Sequence, residues 1–138
     1  MILFVDDEPR IMDSFKYYLE IKLAEIGKEL NFFSNVDEAM EFYKTNSSNL
    51  ELVILDVMMP GGKSFDFKKS NGGLRTGFVF YQEIRKNSSE IPIFIFTNSI
   101  DEDAKTEIEK DKRAKFLQKR DYLLNDFWDE VKSYLKKS

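Results

Sequence analysis

Acidic residues stand directly after two apolar runs of the sequence, and a hydroxyl and an amine stand at the ends of two more. Asp6 and Asp7 follow the first run, Asp56 follows the second, Thr97 follows the third, and Lys119 follows a weaker fourth. Three carboxylates held close repel one another, and a hard divalent cation with oxygen ligands, such as Mg2+, relieves that repulsion. A hydroxyl and a fixed ammonium can then hold phosphoryl oxygens while the central carboxylate attacks phosphorus. These residue types predict phosphoryl chemistry at a magnesium site.

Five short runs have to position these side chains. The strong runs cover residues 2–5, 52–55 and 91–96, and the weaker ones cover 30–33 and 115–118. The strong runs do not alternate apolar with polar residues, which is typical of strands covered on both faces in a parallel sheet. Because ligands of such sheets lie beyond the carboxyl ends of the strands, we expect the groups that follow the runs to converge.

Apolar residues at spacings of three and four predict helices between the runs. The first stripe includes Ile11, Phe15, Leu19 and Leu23, a third helix covers 78–86, and a last one covers 123–135. Asn35 with Glu38 and Ser99 with Glu102 have the spacing of capping boxes, which predicts the starts of the second and fourth helices. Strands and helices therefore alternate through one domain, residues 1–138, and right-handed crossovers favour a doubly wound five-stranded parallel sheet flanked by five helices.

The composition narrows the function. The 138 residues include 21 Lys and Arg against 25 Asp and Glu, a net charge of −4, which argues against a nucleic-acid partner. The absence of Cys and His excludes thiolate and imidazole chemistry on this chain. No apolar run is long enough to span a membrane and no signal peptide precedes the first strand, so we expect a cytoplasmic protein without a membrane partner.

Four motifs give the sequence a family resemblance over nearly its whole length. They are Val-Asp-Asp-Glu at 5–8, Leu-Asp-Val-Met-Met-Pro at 55–60, Phe-Thr-Asn-Ser at 96–99 and Phe-Leu-Gln-Lys at 116–119. Together they resemble the receiver domain of two-component response regulators. The resemblance implies a flavodoxin-like fold with strand order 2-1-3-4-5. It also implies a phosphorylated signalling switch that promotes only its own phosphorylation and dephosphorylation, rather than an enzyme.

The resemblance also assigns roles to residues. It implies that Asp56 becomes an aspartyl phosphate and that Asp7 and Asp56 bind Mg2+ directly. The backbone carbonyl of Met58 would complete the protein ligands, and Asp6 would reach the ion through water.

Further roles concern the response to phosphorylation. By the same resemblance Thr97 would hydrogen-bond the phosphoryl group, Lys119 would pair with it, and Phe116 would be an aromatic switch. The phosphoryl group would come from a sensor histidine kinase or a histidine phosphotransfer protein. A face formed by helix 4, strand 5 and helix 5 would then change its affinity for a downstream protein target.

The sequence departs from the family pattern at three places. Thr97 follows Asp56 by 41 residues, longer than is usual, and the excess lies in a glycine-rich segment, residues 61–77, whose charged side chains sum to +3. This insertion is either a tolerated surface loop or a basic loop within reach of the acidic site. Arg120 replaces the proline that usually follows the lysine, which leaves a cis or a trans Lys119–Arg120 bond open. Asn98 stands where the family prefers a small residue.

Two other functions are alternatives to the switch. A phosphatase of the haloacid dehalogenase type also uses an Asp nucleophile at a strand end. The motif there is Asp-x-Asp, whereas this chain has Met58 two residues after Asp56, and Met58 cannot act as a general acid. A pseudo-receiver would bind proteins without phosphorylation. The intact set of acidic, hydroxyl and amine groups disfavours it, while Arg120 and Asn98 leave it open.

Overall fold

Strands and helices alternate along the chain in a computed structural model that describes residues 1–65 and 69–135. The strands are β1 Ile2–Val5, β2 Leu30–Phe33, β3 Leu52–Leu55, β4 Ile93–Thr97 and β5 Ala114–Gln118. The helices are α1 Pro9–Glu25, α2 Val36–Asn46, α3 Thr76–Asn87, α4 Glu102–Glu109 and α5 Leu124–Tyr134, with short 3-10 helices at Ser47–Asn49 and Lys119–Asp121. Among the described residues, no helix combines the length and apolar character needed to cross a membrane.

All strand pairs of the sheet are parallel, and the order is β2-β1-β3-β4-β5. This confirms the doubly wound, flavodoxin-like arrangement with order 2-1-3-4-5. From β1 the chain first adds β2 on one side, and then crosses to the other side of β1 to add β3, β4 and β5 in turn. The switch between the two directions falls between β1 and β3, where loops diverge and a crevice opens at the carboxyl edge.

The two faces of the sheet are covered by different helices, which explains the unbroken apolar runs. In β1, Leu3 and Val5 pack in a cluster with residues of α2, α3 and α4. Ile2 and Phe4 pack on the opposite face with residues of α1 and α5. All four side chains are fully buried. Because both faces are dry, neither set of alternating positions tolerates a polar residue.

Aromatic contacts attach α1 and α5 to the sheet. The ring of Phe127 in α5 stacks on Phe96 of β4 with centroids 4.0 Å apart. Phe15 of α1 meets the edges of both rings at 5.3 Å and 5.7 Å. Each such pair contributes about 1 kcal/mol beyond the free energy gained from burying apolar area. This cluster therefore holds both helices against the sheet.

The structure confirms one of the two predicted helix caps and corrects the other. Asn35 caps α2 as predicted, because its side chain accepts a hydrogen bond from the Glu38 amide. At α4 the cap is Asp101 rather than Ser99, because the Asp101 carboxylate accepts from the Ala104 amide at 3.0 Å. The Ser99 amide instead donates to the Thr97 hydroxyl. Carboxylates are as good caps as hydroxyls, and Asp101 is closer to the first helical residue.

The insertion at 61–77 folds back on the exit of β3. The Met59 amide donates to the Gly73 carbonyl at 3.0 Å, and the Thr76 hydroxyl donates to the Met59 carbonyl. Gly73 has a φ of +94°, which only glycine adopts at low cost. Residues 66–68 of the insertion, which include the charged Asp66 and Lys68, lie outside the described residues.

Gly77, the last residue of the glycine-rich segment 61–77, is the second residue of α3, which begins two residues before the predicted start at 78. Its amide donates to the Val57 carbonyl at 2.9 Å. A Cβ atom at this position would lie 1.7 Å from the carbonyl oxygen of Asp56. The absence of a side chain at Gly77 therefore lets α3 start directly against the backbone that carries Asp56.

We predict that Gly77→Ala lowers the free energy of unfolding by about 3 kcal/mol, because the methyl group forces α3 away from Asp56. Urea unfolding followed by Trp128 fluorescence measures it. Gly27→Ala is the matched control: Gly27 has a φ of +72° but nothing within 4 Å of the added atom. It should cost only about 1 kcal/mol, the strain of the left-handed conformation. Equal losses in the two variants would contradict the close approach at Gly77.

Candidate functional site

Asp6 and Asp56 lie side by side at the carboxyl edge of the sheet because β1 and β3 are neighbours. The Asp56 amide donates to the Val5 carbonyl at 3.1 Å, which continues the strand pairing by one residue. The Asp6 amide donates to the Phe33 carbonyl on the other side, also at 3.1 Å. The sheet backbone therefore fixes both acidic residues, and both are buried.

Lys119 joins these two carboxylates. Its Nζ atom lies 2.7 Å from Asp6 Oδ2 and 2.8 Å from Asp56 Oδ2, and its side chain is only 7% exposed. The Lys119–Arg120 peptide bond is trans, so a trans bond is compatible with these contacts, while the Arg120 side chain is exposed. These contacts are short and shielded from water, so the Coulomb attraction between the ammonium and the two carboxylates exceeds that of a surface ion pair.

Thr97 supplies the hydroxyl that the sequence predicted at the end of β4. Its Oγ1 atom donates to Asp56 Oδ1 at 2.6 Å and accepts from the Ser99 amide at 3.0 Å. Each Asp56 carboxylate oxygen thus has one donor, an ammonium on Oδ2 and a hydroxyl on Oδ1. This hydroxyl group links the loop after β4 to Asp56.

The three carboxylates of the site suit a divalent cation. Asp6, Asp7 and Asp56 each offer an oxygen, and these oxygens lie within 4.8 Å of one another. Asp7 Oδ1 is buried and has no hydrogen-bond partner among the described residues. An orphaned carboxylate oxygen beside two other carboxylates fits a hard cation that takes oxygen ligands.

The electrostatics of the site reflect its crowding. Burial, together with the charge of Asp56, raises the pKa of Asp6 to about 6. The same two causes raise the pKa of Asp7, with Glu8 adding to them. Burial opposes the charge of Lys119, but Asp56 and Asp6 outweigh it and raise the pKa of that ammonium. The raised pKa values of Asp6 and Asp7 show that Lys119 alone does not offset the negative charge of the three carboxylates.

Two predicted residues lie at the margin of this group. The Met58 side chain points away from the core and is 46% exposed. Phe116 is half-buried in β5, opposite Ile95 of β4, and packs on the cluster beneath α2, α3 and α4. The Asn98 side chain is exposed. The structure therefore gathers five predicted groups into one site, and it places the Met58 side chain at the surface and Phe116 in β5.

Among the described residues of the insertion, the Arg75 side chain and the Lys63 amide make contacts outside the acidic site. Arg75 Nε lies 2.7 Å from Asp101 Oδ2, and the guanidinium lies over the Phe78 ring at 4.7 Å. The Lys63 amide, rather than its ammonium, is bound by the Asp37 carboxylate. Hydrogen bonds from Ser64 and Lys63 hold the pKa of Asp37 below its usual range. Sequence reasoning missed the Arg75–Asp101 pair, since no periodicity relates residues 26 positions apart.

Comparison with known proteins identifies the family. The sequence matches the response regulator receiver domain over residues 2–123. The chain belongs to this family. No curated protein sequence matches it.

Solved structures of receiver domains share this fold. A receiver domain protein from Clostridium thermocellum is 25% identical, with a TM-score of 0.72 over 96% of this chain and 91% of that one. Chemotaxis protein CheY4 of Vibrio cholerae is 21% identical, with a TM-score of 0.68 over 97% of both chains. The BeF3-activated receiver domain of Klebsiella pneumoniae RstA is 18% identical, with a TM-score of 0.71 over 99% and 98%. At such low identity the likeness to the last two concerns the fold alone.

For this receiver domain we predict that Lys119→Gln lowers the free energy of unfolding by about 3 kcal/mol, because two buried carboxylates lose their counter-charge. Lys115→Gln is the matched control. Its ammonium pairs with Glu130 at 2.7 Å, but the two side chains are 40% and 27% exposed. That loss should stay below about 1 kcal/mol. Added Mg2+ should restore stability in Lys119→Gln only, and similar losses in both variants without Mg2+ would contradict this view of the site.

Proposed function

We propose that this receiver domain is a signalling switch in which Asp56 accepts a phosphoryl group. The donor is a sensor histidine kinase or a histidine phosphotransfer protein. The observation that carries the proposal is the pair of donors on Asp56, the Lys119 ammonium on one oxygen and the Thr97 hydroxyl on the other. Both can transfer their hydrogen bonds to a phosphoryl group on Asp56 without leaving the site.

The transfer exchanges one bond to phosphorus for another. A carboxylate oxygen of Asp56 attacks the phosphorus of the donor phosphohistidine, a P–O bond forms, and the P–N bond breaks. The electron pair of the broken bond returns to the donor imidazole, which takes a proton from solvent. Lys119 stays beside Asp56 throughout and offsets the negative charge that accumulates on the phosphoryl oxygens.

Asp6, Asp7 and Asp56 would hold Mg2+, with the Met58 carbonyl as a further oxygen ligand. The Oδ1 atom of Asp7, which is buried and has no hydrogen-bond partner in the described part of the chain, supports this assignment. When bound, the ion supplies positive charge that offsets both the carboxylates and the incoming phosphate. Because three carboxylates and one ammonium leave the site net negative, a dianionic phosphoryl group would otherwise be repelled.

The response is proposed to pass through the loop after β4. Phosphorylation moves the acceptor of the Thr97 hydrogen bond outward from Asp56, and the Ser99 amide is tied to the same hydroxyl. The next helix, α4, buries only Ala104 and Ile108, so little packing energy holds it in place. A shift of α4 with Phe116 would alter the face that α4, β5 and α5 present to a downstream protein.

The first test is intact mass after incubation with acetyl phosphate and Mg2+. We expect the mass of one phosphoryl group on the wild type, none on Asp56→Asn, and an unchanged adduct on Asp129→Asn, which alters an exposed aspartate of α5. Chelation of Mg2+ should abolish the adduct. An adduct that persists in Asp56→Asn, or none in the wild type, would reject Asp56 as the acceptor under these conditions.

The second test concerns the lifetime of the phosphoryl group. Met58 stands two residues after Asp56, and its thioether orients a hydrolytic water poorly. We expect Met58→Asn to shorten the lifetime about fivefold, since one hydrogen bond to that water is worth ~1 kcal/mol. Met58→Leu, which adds no hydrogen-bonding group, should match the wild type. Decay of phosphorylated protein, followed by mass, measures it, and equal rates in all three proteins would exclude this role.

A further inference from the structure

Exposed apolar side chains collect in a groove beside the strand-end site. The groove has a volume of about 510 Å³, and Met58, Leu74 and Ile100 line it. Their exposed fractions are 46%, 50% and 68%. Three of the seven large exposed hydrophobic side chains in the described part of the chain therefore share one depression. They come from three separate segments, the exit of β3, the insertion and the loop before α4.

The groove has a rim of negative charge. Glu102 and Asp103, in the first turn of α4, line it and are exposed. Among the described residues that line the groove, Arg75 is the one cation, and Asp101 neutralises it at 2.7 Å. The net charge of the rim is therefore that of the two exposed carboxylates, which favours a basic ligand.

The groove is built by contacts that hold its shape. Arg75 connects the insertion to the start of α4, because the carboxylate that binds its guanidinium also caps the helix at the Ala104 amide. The backbone around Leu74 is closed by hydrogen bonds as well. The Leu74 amide donates to the Asn71 carbonyl at 3.2 Å, and the Arg75 amide donates to the Ser70 carbonyl at 2.8 Å. A preformed groove loses less entropy on binding than a loop that must first become ordered.

We propose that this groove docks a basic amphipathic segment of a protein partner. An apolar side chain of the segment would lie against Leu74, Ile100 and Met58, and a flanking Lys or Arg would pair with Glu102 or Asp103. Leu74 and Arg75 belong to the insertion, and Ile100 and Asp101 belong to the loop after β4, so these two segments together form the groove. Docking there does not require phosphorylation of Asp56 and is independent of the proposed phosphoryl transfer.

The test is selection of a random peptide library displayed on phage against the unphosphorylated wild-type protein. We expect enriched peptides that combine a large apolar residue with Lys or Arg. The double variant Leu74→Ser, Ile100→Ser should bind them at least about tenfold more weakly, because two apolar contacts are lost. Glu102→Gln with Asp103→Asn should also weaken binding and reduce its dependence on salt.

A matched control separates the groove from exposed apolar surface in general. Ile21 and Leu123 are 62% and 71% exposed and do not line the groove. The variant Ile21→Ser, Leu123→Ser should bind the enriched peptides like the wild type. Urea unfolding of each variant verifies the fold, which these exposed substitutions should leave intact.

Three outcomes would overturn the proposal. The first is no enrichment, or enriched peptides without basic residues. The second is equal binding to wild type and to Leu74→Ser, Ile100→Ser. The third is sedimentation that shows a dimer of the unphosphorylated protein which the same double variant dissociates, because a second copy of the chain would then occupy the groove.

Discussion

One ammonium group allows acidic residues from two strands to share the buried end of the sheet. Lys119 reaches from the end of β5 to Asp6 after β1 and to Asp56 after β3, at 2.7 Å and 2.8 Å. In the strand order, β5 and β1 are three spacings of about 4.8 Å apart, so only a long side chain can close that distance. The Thr97 hydroxyl lies on β4 between them and bonds the same carboxylate. Every other feature of the site is arranged around this buried charge cluster.

The segment after β3 forms a second constraint on the site. Gly77 brings the start of α3 against the Asp56 carbonyl, and the Thr76 hydroxyl bonds the Met59 carbonyl. The insertion leaves and re-enters the fold between these points. These contacts around Asp56 do not depend on the length of the insertion, which explains how extra residues are accommodated beside a crowded site.

Within the described part of the insertion, Arg75 contributes its charge to the start of α4. Arg75 binds Asp101, the residue that caps α4, and Asp101 lies four positions after Thr97. Hence the loop between β4 and α4 is held at its start by the Thr97 hydroxyl and at its end by Arg75. The Arg75–Asp101 pair and the exposed apolar residues around it give this receiver domain a surface beside Asp56 that the shared fold does not dictate.

The sequence by itself determined the fold class and the identity of the strand-end groups. Unbroken apolar runs require strands that are buried on both faces, and parallel strands bring the residues that follow them to one edge. Asp6, Asp7, Asp56, Thr97 and Lys119 could therefore be placed together from sequence order and residue type. The sequence did not determine where α4 begins, because Ser99 and Asp101 are side chains of similar capping strength and Asp101 forms the cap.

Only the tertiary structure decided how distant residues pair. It determined that the Lys119 ammonium binds both Asp6 and Asp56 and that the Lys119–Arg120 peptide bond is trans. It also determined that Gly77 must lack a side chain and that Arg75 binds Asp101. Such contacts depend on distances and side-chain directions between separate elements. Local periodicity carries no information about them, because the same helix or strand pattern is compatible with many relative placements.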